Sequence, residues 1–195
     1  MVAIGDKLVF IHIPRTAGTY VTGLLEKAGY AKSVDGDAHR IPTTEEIGDR
    51  QVVTILREPI DWLNSYLRFT YYGGRKCLPV VDEFIAYYIR TIANWTGPVT
   101  PTLAKELSQR NLIDGALKPF LSVPNTLVVD HDQLSFFRWT GKSESSEPLL
   151  VRQLKTSNPS LFSQEIRDEF RRSNPIVFDL YDQVKEDGYK EINKG

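Results

Sequence analysis

The chain has a single cysteine, Cys77, among its 195 residues. With one thiol it can form neither an internal disulfide nor a cysteine-based zinc cluster, a usage compatible with a reducing compartment. It also lacks an excess of charge. Lysine and arginine number 24, aspartate and glutamate 25, for a net charge of −1. A general nucleic-acid binder is usually basic, so nucleic acid is not an expected partner, although net charge leaves a local cationic pocket open. No apolar run is long enough to span a bilayer, and the opening MVAIGDK lacks the charged-then-apolar layout of a secretory signal. The expectation is a cytoplasmic protein with no membrane partner, and the glycosylation sequon at Asn94-Trp95-Thr96 is read as chance. No internal repeat and no long linker appear, so residues 1–195 are expected to form one domain. At 41% hydrophobic and 25% charged residues, the chain is of globular composition.

What is present centres on Leu8 to Leu25, LVFIHIPRTAGTYVTGLL. Leu8 to Ile11 and Ile13 form a short apolar run, too short for a helix and suited to a buried parallel strand. Pro14 is expected to end it, because proline cannot donate to a sheet ladder. Thr16 to Thr19 make a turn of small residues. Val21, Leu24, Leu25 and Ala28 then follow at helical spacing, with Gly29 as the stop. A strand that turns sharply into a helix leaves backbone N–H groups free at the helix start. With the helix dipole they make an anion site. Arg15 adds charge, Thr16 and Thr19 add hydroxyls, and Ala17 and Gly18 leave room for a phosphate to approach the backbone. The nucleotide-kinase motif GxxxxGK[ST] is absent, with no first glycine and no lysine before Thr19.

Along the rest of the chain, Tyr30 to Val34 suggests a short strand and Asp35-Gly36-Asp37 a turn. Thr43, three residues before Glu46, predicts a capping box and a helix start. Gln51 to Leu56 reads as a second buried strand, which runs through Arg57-Glu58-Pro59 into a helix carrying Trp62, Leu63, Tyr66, Leu67 and Phe69. Helices are expected over 79–94 and 102–111, and a third strand over Asn125 to Val129. Asp130-His131-Asp132 is a helix-start cluster, 142–148 a mobile loop, and two helices close the chain, near Ser163 to Arg172 and Pro175 to Glu186. Strands alternating with helices predict an α/β fold with a small central parallel β-sheet flanked by helices. In such sheets ligands bind at the carboxyl ends of the strands. Arg15 and Arg57 therefore share that rim, and Ser65, eight positions beyond Arg57, leans back toward it. An arginine with a hydroxyl suits a phosphate monoester.

HIPRTAGTY (His12 to Tyr20) and LREPIDWLNSYLRF (Leu56 to Phe69) together resemble the sulfotransferases that use 3′-phosphoadenosine 5′-phosphosulfate. The carbohydrate subgroup related to heparan sulfate 2-O-sulfotransferases is the nearest, with motifs similar to HIPKTAGTS and RDPxxRxxSxY. The likeness is good over about the first 70 residues, and weaker at LVVDHDQL and FDLYDQV. It implies a P-loop NTPase-like sulfotransferase fold, with Arg15, Thr16, Ala17, Gly18, Thr19 and Tyr20 around the 5′-phosphosulfate. Arg57 and Ser65 would hold the 3′-phosphate. It also implies a carbohydrate or small-molecule acceptor and no metal. Three residues depart from the pattern. Arg15 replaces the family lysine and cannot give up a proton, Glu58 replaces an aspartate, and Trp62 replaces the inner arginine.

His39, in a turn before the Thr43 helix start, is the candidate general base, because a neutral imidazole titrates in the right range to accept the acceptor's proton. His12 reads as a strand residue, either satisfied in the core or supporting the site from behind its contacting residues. His131 with Asp130 and Asp132 reads as a capping cluster. Tyr71, Tyr72, Arg75 and Lys76 are candidates for the adenine or acceptor pocket, and Arg152, Lys155 and the 156–159 loop for closure over the nucleotide. Two other functions stay open. One is a P-loop kinase or NTPase, for which Asp130 is the only magnesium-binding candidate. The other is a non-catalytic nucleotide-binding module. Oligomeric state has no signature.

Overall fold

A computed structural model of the chain describes residues 2–32, 39–73, 111–133 and 162–192. The turn at Asp35–Asp37, Cys77, Asn94, Arg75, Lys76, the helix over 79–94 and that over 102–111 but for its last residue lie outside the described residues. So do the 142–148 loop, Arg152, Lys155, the 156–159 loop, and the side chains of Tyr71 and Tyr72.

The centre of the fold is three parallel strands. β2 (Leu8–Ile11), β4 (Gln51–Leu56) and β5 (Thr126–Asp130) pair side by side, Leu8 opposite Gln51 and Val52 opposite Thr126. Their apolar side chains are fully enclosed: Val9, Phe10, Ile11, Val52, Ile55 and Val128 expose nothing. Polar side chains inside the sheet are satisfied locally, as when the Thr54 hydroxyl donates to the Ile11 carbonyl at 3.0 Å.

The sheet is not wholly parallel, contrary to the expectation. β1 (Val2–Ile4) pairs antiparallel with β2, β3 (Ala31–Lys32) antiparallel with β1, and β6 (Tyr189–Ile192) antiparallel with β5, giving the order β3-β1-β2-β4-β5-β6. These edge strands are short. A hairpin needs only a tight turn, here closed by the Gly5 N–H on the Leu8 carbonyl at 2.9 Å, whereas a parallel neighbour needs a crossover. The protein is thus α/β with a mixed sheet, parallel in its centre and flanked by helices.

The chain divides into two compact units, Met1–Arg57 with Pro119–Thr156 and Tyr181–Gly195, and Glu58–Lys118 with Ser157–Leu180. In the first, α1 (Gly18–Lys27) buries Val21 and Leu25 in a cluster with Ala3, Phe10, Val53, Ile55 and Val129. Gly29 ends α1 as expected. Its φ of 89° is the left-handed stop, and the Tyr30 N–H reaches back to the Leu25 carbonyl at 3.0 Å. α2 (Thr44–Ile47) opens on the expected capping box, with Thr43 N–H on Glu46 Oε2 at 2.8 Å and Glu46 N–H on Thr43 Oγ1 at 3.3 Å. The expected helix after Asp130 begins as a single 3₁₀ turn, His131–Gln133.

The second unit contains α3 (Pro59–Gly73), most of α4 (Leu112–Leu121), α5 (Gln164–Ser173) and the start of α6 (Pro175–Asp187). α4 was not foreseen. Leu112, Ile113, Ala116, Leu117, Phe120 and Leu121 keep helical spacing and are all buried, even with Pro119 inside the helix. Trp62 is fully buried and packs 5.5 Å from Tyr66, ring to ring, so it serves the core.

Two helix starts in this unit cap one another. Asn174, fully buried, accepts the Ile113 and Asp114 N–H groups of α4 on its Oδ1 at 2.9 and 3.1 Å. Asp114 in turn accepts the Val177 and Ile176 N–H groups of α6 at 2.9 and 3.3 Å. Helix N-termini must place their first N–H groups somewhere, and here each helix supplies the other's acceptor. Asn174→Ala leaves two enclosed N–H groups without an acceptor. It is expected to cost about 1–3 kcal/mol in urea unfolding, more than an exposed cap would.

Candidate functional site

The site grows from the end of β2. The strand stops at Ile11, two residues earlier than the apolar run implied, so His12 and Ile13 lie beyond the ladder although both are buried. Pro14 to Ala17 form the turn, and the backbone there is unusual. Arg15 and Ala17 have φ of 68° and 64°, while Thr16 and Gly18 keep negative φ. Left-handed conformation costs an L-residue about 1–2 kcal/mol, and such strain concentrates where function uses it. Residues that alternate in hand turn successive N–H groups to the same side and make the anion-binding concavity called a nest.

The helix that follows is open at its start. Ala17 is the N-cap, no side chain caps α1, and its first turn holds no acidic residue. The positive end of the dipole is left for something outside the helix. Arg15 and Thr19 are exposed, and Tyr20 is 36% exposed. Thr16 has a different part from the one expected. Its hydroxyl is buried and donates to the Ile13 carbonyl at 2.8 Å, bracing the turn.

His12 sits underneath. It is buried as expected but neither in the strand nor fully satisfied: Nδ1 is enclosed with no hydrogen-bond partner among the described residues. Its ring fills the place a side chain on Gly18 would occupy, with Cδ2 1.8 Å and Nε2 2.5 Å from where a Cβ would stand. Burial first, and then the neighbouring His39 and Arg15, push its pKa from 6.5 down to about 3, so it is neutral at physiological pH.

His39 reaches the same place from 27 residues away in sequence. Its ring meets that of His12 edge to face, centroids 4.7 Å apart, and its Nδ1 lies 3.3 Å from the His12 carbonyl oxygen. A carbonyl can only accept, so in neutral His39 the proton sits on Nδ1, and Nε2 carries the lone pair. The segment bearing His39 is fastened by the next residue. Arg40 forms a two-pronged ion pair with Glu46, Nη1 to Oε2 at 2.6 Å, which holds the Glu46 carboxyl down to about 2. The capping box therefore also anchors the candidate base.

Arg57 follows β4 directly and is half-buried. The β2–β4 register sets Ile11 opposite Thr54, so Arg57 and the Pro14-Arg15 turn leave the sheet at the same rim. Asp130, opposite Leu56 at the end of β5, is fully buried. Its Oδ1 accepts the Asp132 N–H at 3.2 Å, the capping role expected of it, and its Oδ2 pairs with Lys185 at 3.2 Å. Lys185, which nothing in the sequence marked, also binds Asp132 at 2.8 Å. Ser65 belongs to the second unit, where it is buried on α3. That helix is capped by Glu58, whose carboxylate accepts the Asp61 N–H at 2.6 Å, and burial raises the Glu58 pKa. Glutamate thus does the capping that aspartate more often does.

The structure therefore brings together the 15–20 loop, His12 and His39, with Arg57 at the same rim. Sequence reasoning singled out His39, and left His12 as a core or supporting residue of the strand without placing it under the loop. The signal available was a histidine, a polar ring, immediately after a buried strand. No protein-family model, curated protein or solved structure matches the chain. Among the described residues no helix is long and apolar enough to cross a membrane.

Two outcomes test this geometry. Gly18→Ala drives a methyl group into the His12 ring, and is expected to cost about 1–3 kcal/mol, read by urea unfolding. The second concerns pH. Between pH 6.5 and about 3 the unfolded chain protonates His12 and the folded one does not. Stability therefore falls as pH is lowered through this window, by up to about 1.4 kcal/mol per unit for one proton. Urea unfolding at pH 7 and 5.5 should show a smaller loss in His12→Leu than in the parent.

Proposed function

We propose that the protein is a sulfotransferase that moves the sulfuryl group of 3′-phosphoadenosine 5′-phosphosulfate to an acceptor hydroxyl, with a carbohydrate the favoured acceptor class. The observation that carries this reading is the loop itself. Left-handed Arg15 and Ala17 precede an uncapped helix, and His39 stands against the loop with its Nε2 lone pair unprotonated.

In this reading the 5′-phosphosulfate lies against the N–H groups of residues 16–19, with Arg15, Thr19 and Tyr20 around it. His39 Nε2 takes the proton of the acceptor hydroxyl. The acceptor oxygen attacks sulfur in line, the bond from sulfur to the bridging oxygen breaks, and adenosine 3′,5′-bisphosphate departs. Negative charge builds on that bridging oxygen, where preorganised donors act most strongly. Arg15 stabilises it by charge and hydrogen bonding alone, since a guanidinium does not release a proton. Arg57 holds the 3′-phosphate, which fixes the donor's geometry.

The kinase alternative draws less support. Its candidate magnesium ligand, Asp130, has one oxygen on a backbone N–H and the other on Lys185. A carboxylate engaged in this way is poorly disposed toward a metal.

The test is calorimetric titration with adenosine 3′,5′-bisphosphate, beside ATP with and without magnesium. Binding of the bisphosphate without magnesium is expected. Binding of ATP–magnesium alone would transfer the protein to the kinase class. Given bisphosphate binding, Arg57→Ala is expected to weaken it by about ten- to hundred-fold, the loss of a charged hydrogen-bonding partner. His39→Ala should leave that affinity in place and abolish sulfuryl transfer to acceptors. Full transfer by His39→Ala would remove the residue from the mechanism.

A further inference from the structure

We propose that His12 is itself a binding residue, a neutral imidazole protonated on Nε2 that donates a hydrogen bond to the anion held at the start of α1; this rests on reading the 15–20 loop as an anion site. His12 is 6% exposed, and of its two ring nitrogens Nδ1 is the enclosed one, with no partner among the described residues. A neutral imidazole carries one N–H. On Nδ1 it would be a buried donor with nothing to receive it, and enclosed unpaired N–H groups are rarer than under-used acceptors. The proton therefore resides on Nε2.

Nε2 stands beside the helix start, 2.5 Å from where a Gly18 Cβ would be. The absence of that Cβ is what lets the ring come so close. Gly18 is the first residue of α1, whose uncapped N–H groups form the anion cradle. An Nε2–H there adds a side-chain donor to the backbone donors without adding charge. His39 and Arg15 are among the neighbouring charged and titratable groups, and both disfavour a second cation at this point. The two touching rings then carry opposite tautomers, Nε2–H in His12 and Nδ1–H in His39.

Long-range ¹H–¹⁵N correlation spectra of the full chain at pH 7 read the tautomers directly, and a proton on Nδ1 of His12 would overturn the proposal. Binding supplies the second readout. His12→Leu keeps an apolar group of similar bulk and removes the donor. His12→Gln restores an N–H near the Nε2 position. With adenosine 3′,5′-bisphosphate as titrant, His12→Leu is expected to bind about ten- to hundred-fold more weakly than the parent, with His12→Gln recovering most of the difference. Thermal melting of the unliganded variants separates this from a structural effect. Equal losses in Leu and Gln variants, or an unchanged affinity in His12→Leu, would sink the proposal while leaving the sulfotransferase reading intact. If the parent binds inorganic sulfate but not the bisphosphate, that reading fails and the same variants, titrated with sulfate, decide the role of His12. A parent that binds neither overturns both.

Discussion

Everything at the candidate site depends on how the chain leaves β2. A parallel strand must pass into its helix within a few residues, and here the turn is made without glycine at its left-handed positions. Arg15 and Ala17 take those conformations, against the preference of any residue with a Cβ. The glycine that follows the turn, Gly18, is used for space, with the His12 ring lying where its side chain would be. Thr16, its hydroxyl on the Ile13 carbonyl, locks the turn from inside. The strain, the close approach and the internal hydrogen bond are one arrangement, and it leads into a helix start that no side chain caps.

That arrangement explains why two histidines meet. The His12 carbonyl, freed from the ladder because β2 ends at Ile11, becomes the acceptor for His39 Nδ1. Had the strand continued to Ile13, this carbonyl would be a candidate for sheet pairing. Ending the ladder early is thus what gives His39 its tautomer. The Arg40–Glu46 pair and the Thr43 capping box hold the other end of the same segment. A four-residue helix with no buried side chain would be marginal on its own. Its place in the structure is as an anchor for the chain carrying His39.

Much of this was legible in the sequence, and the exceptions have physical causes. The central strands, the glycine stop of α1 and the Thr43–Glu46 box were readable because each rests on local chemistry. β6 was not, since Tyr189 to Ile192 is at most half-buried and shows no clean alternation; it becomes a strand only because β5 offers it an edge. α4 was obscured by Pro119, although the spacing of its apolar residues was visible throughout. The end of β2 was misjudged because Ile13 is apolar and buried for reasons other than sheet pairing. The contact between His12 and His39 had no local signature at all.

The part proposed for Arg15 can be understood from the backbone. Arg15 is held at a positive φ and is exposed. From an exposed start, a long planar fork with five donors can return to an anion by more than one route, and its charge is permanent. Lysine offers a single compact charge that must be aimed. In the proposed transfer, arginine in this place passes no proton to a departing oxygen, so the burden falls on fixed donors, the N–H groups of the turn and the helix dipole. A loop that relies on donors rather than on an acid has every reason to hold them rigidly, and the strain at Arg15 and Ala17 is the form that rigidity takes.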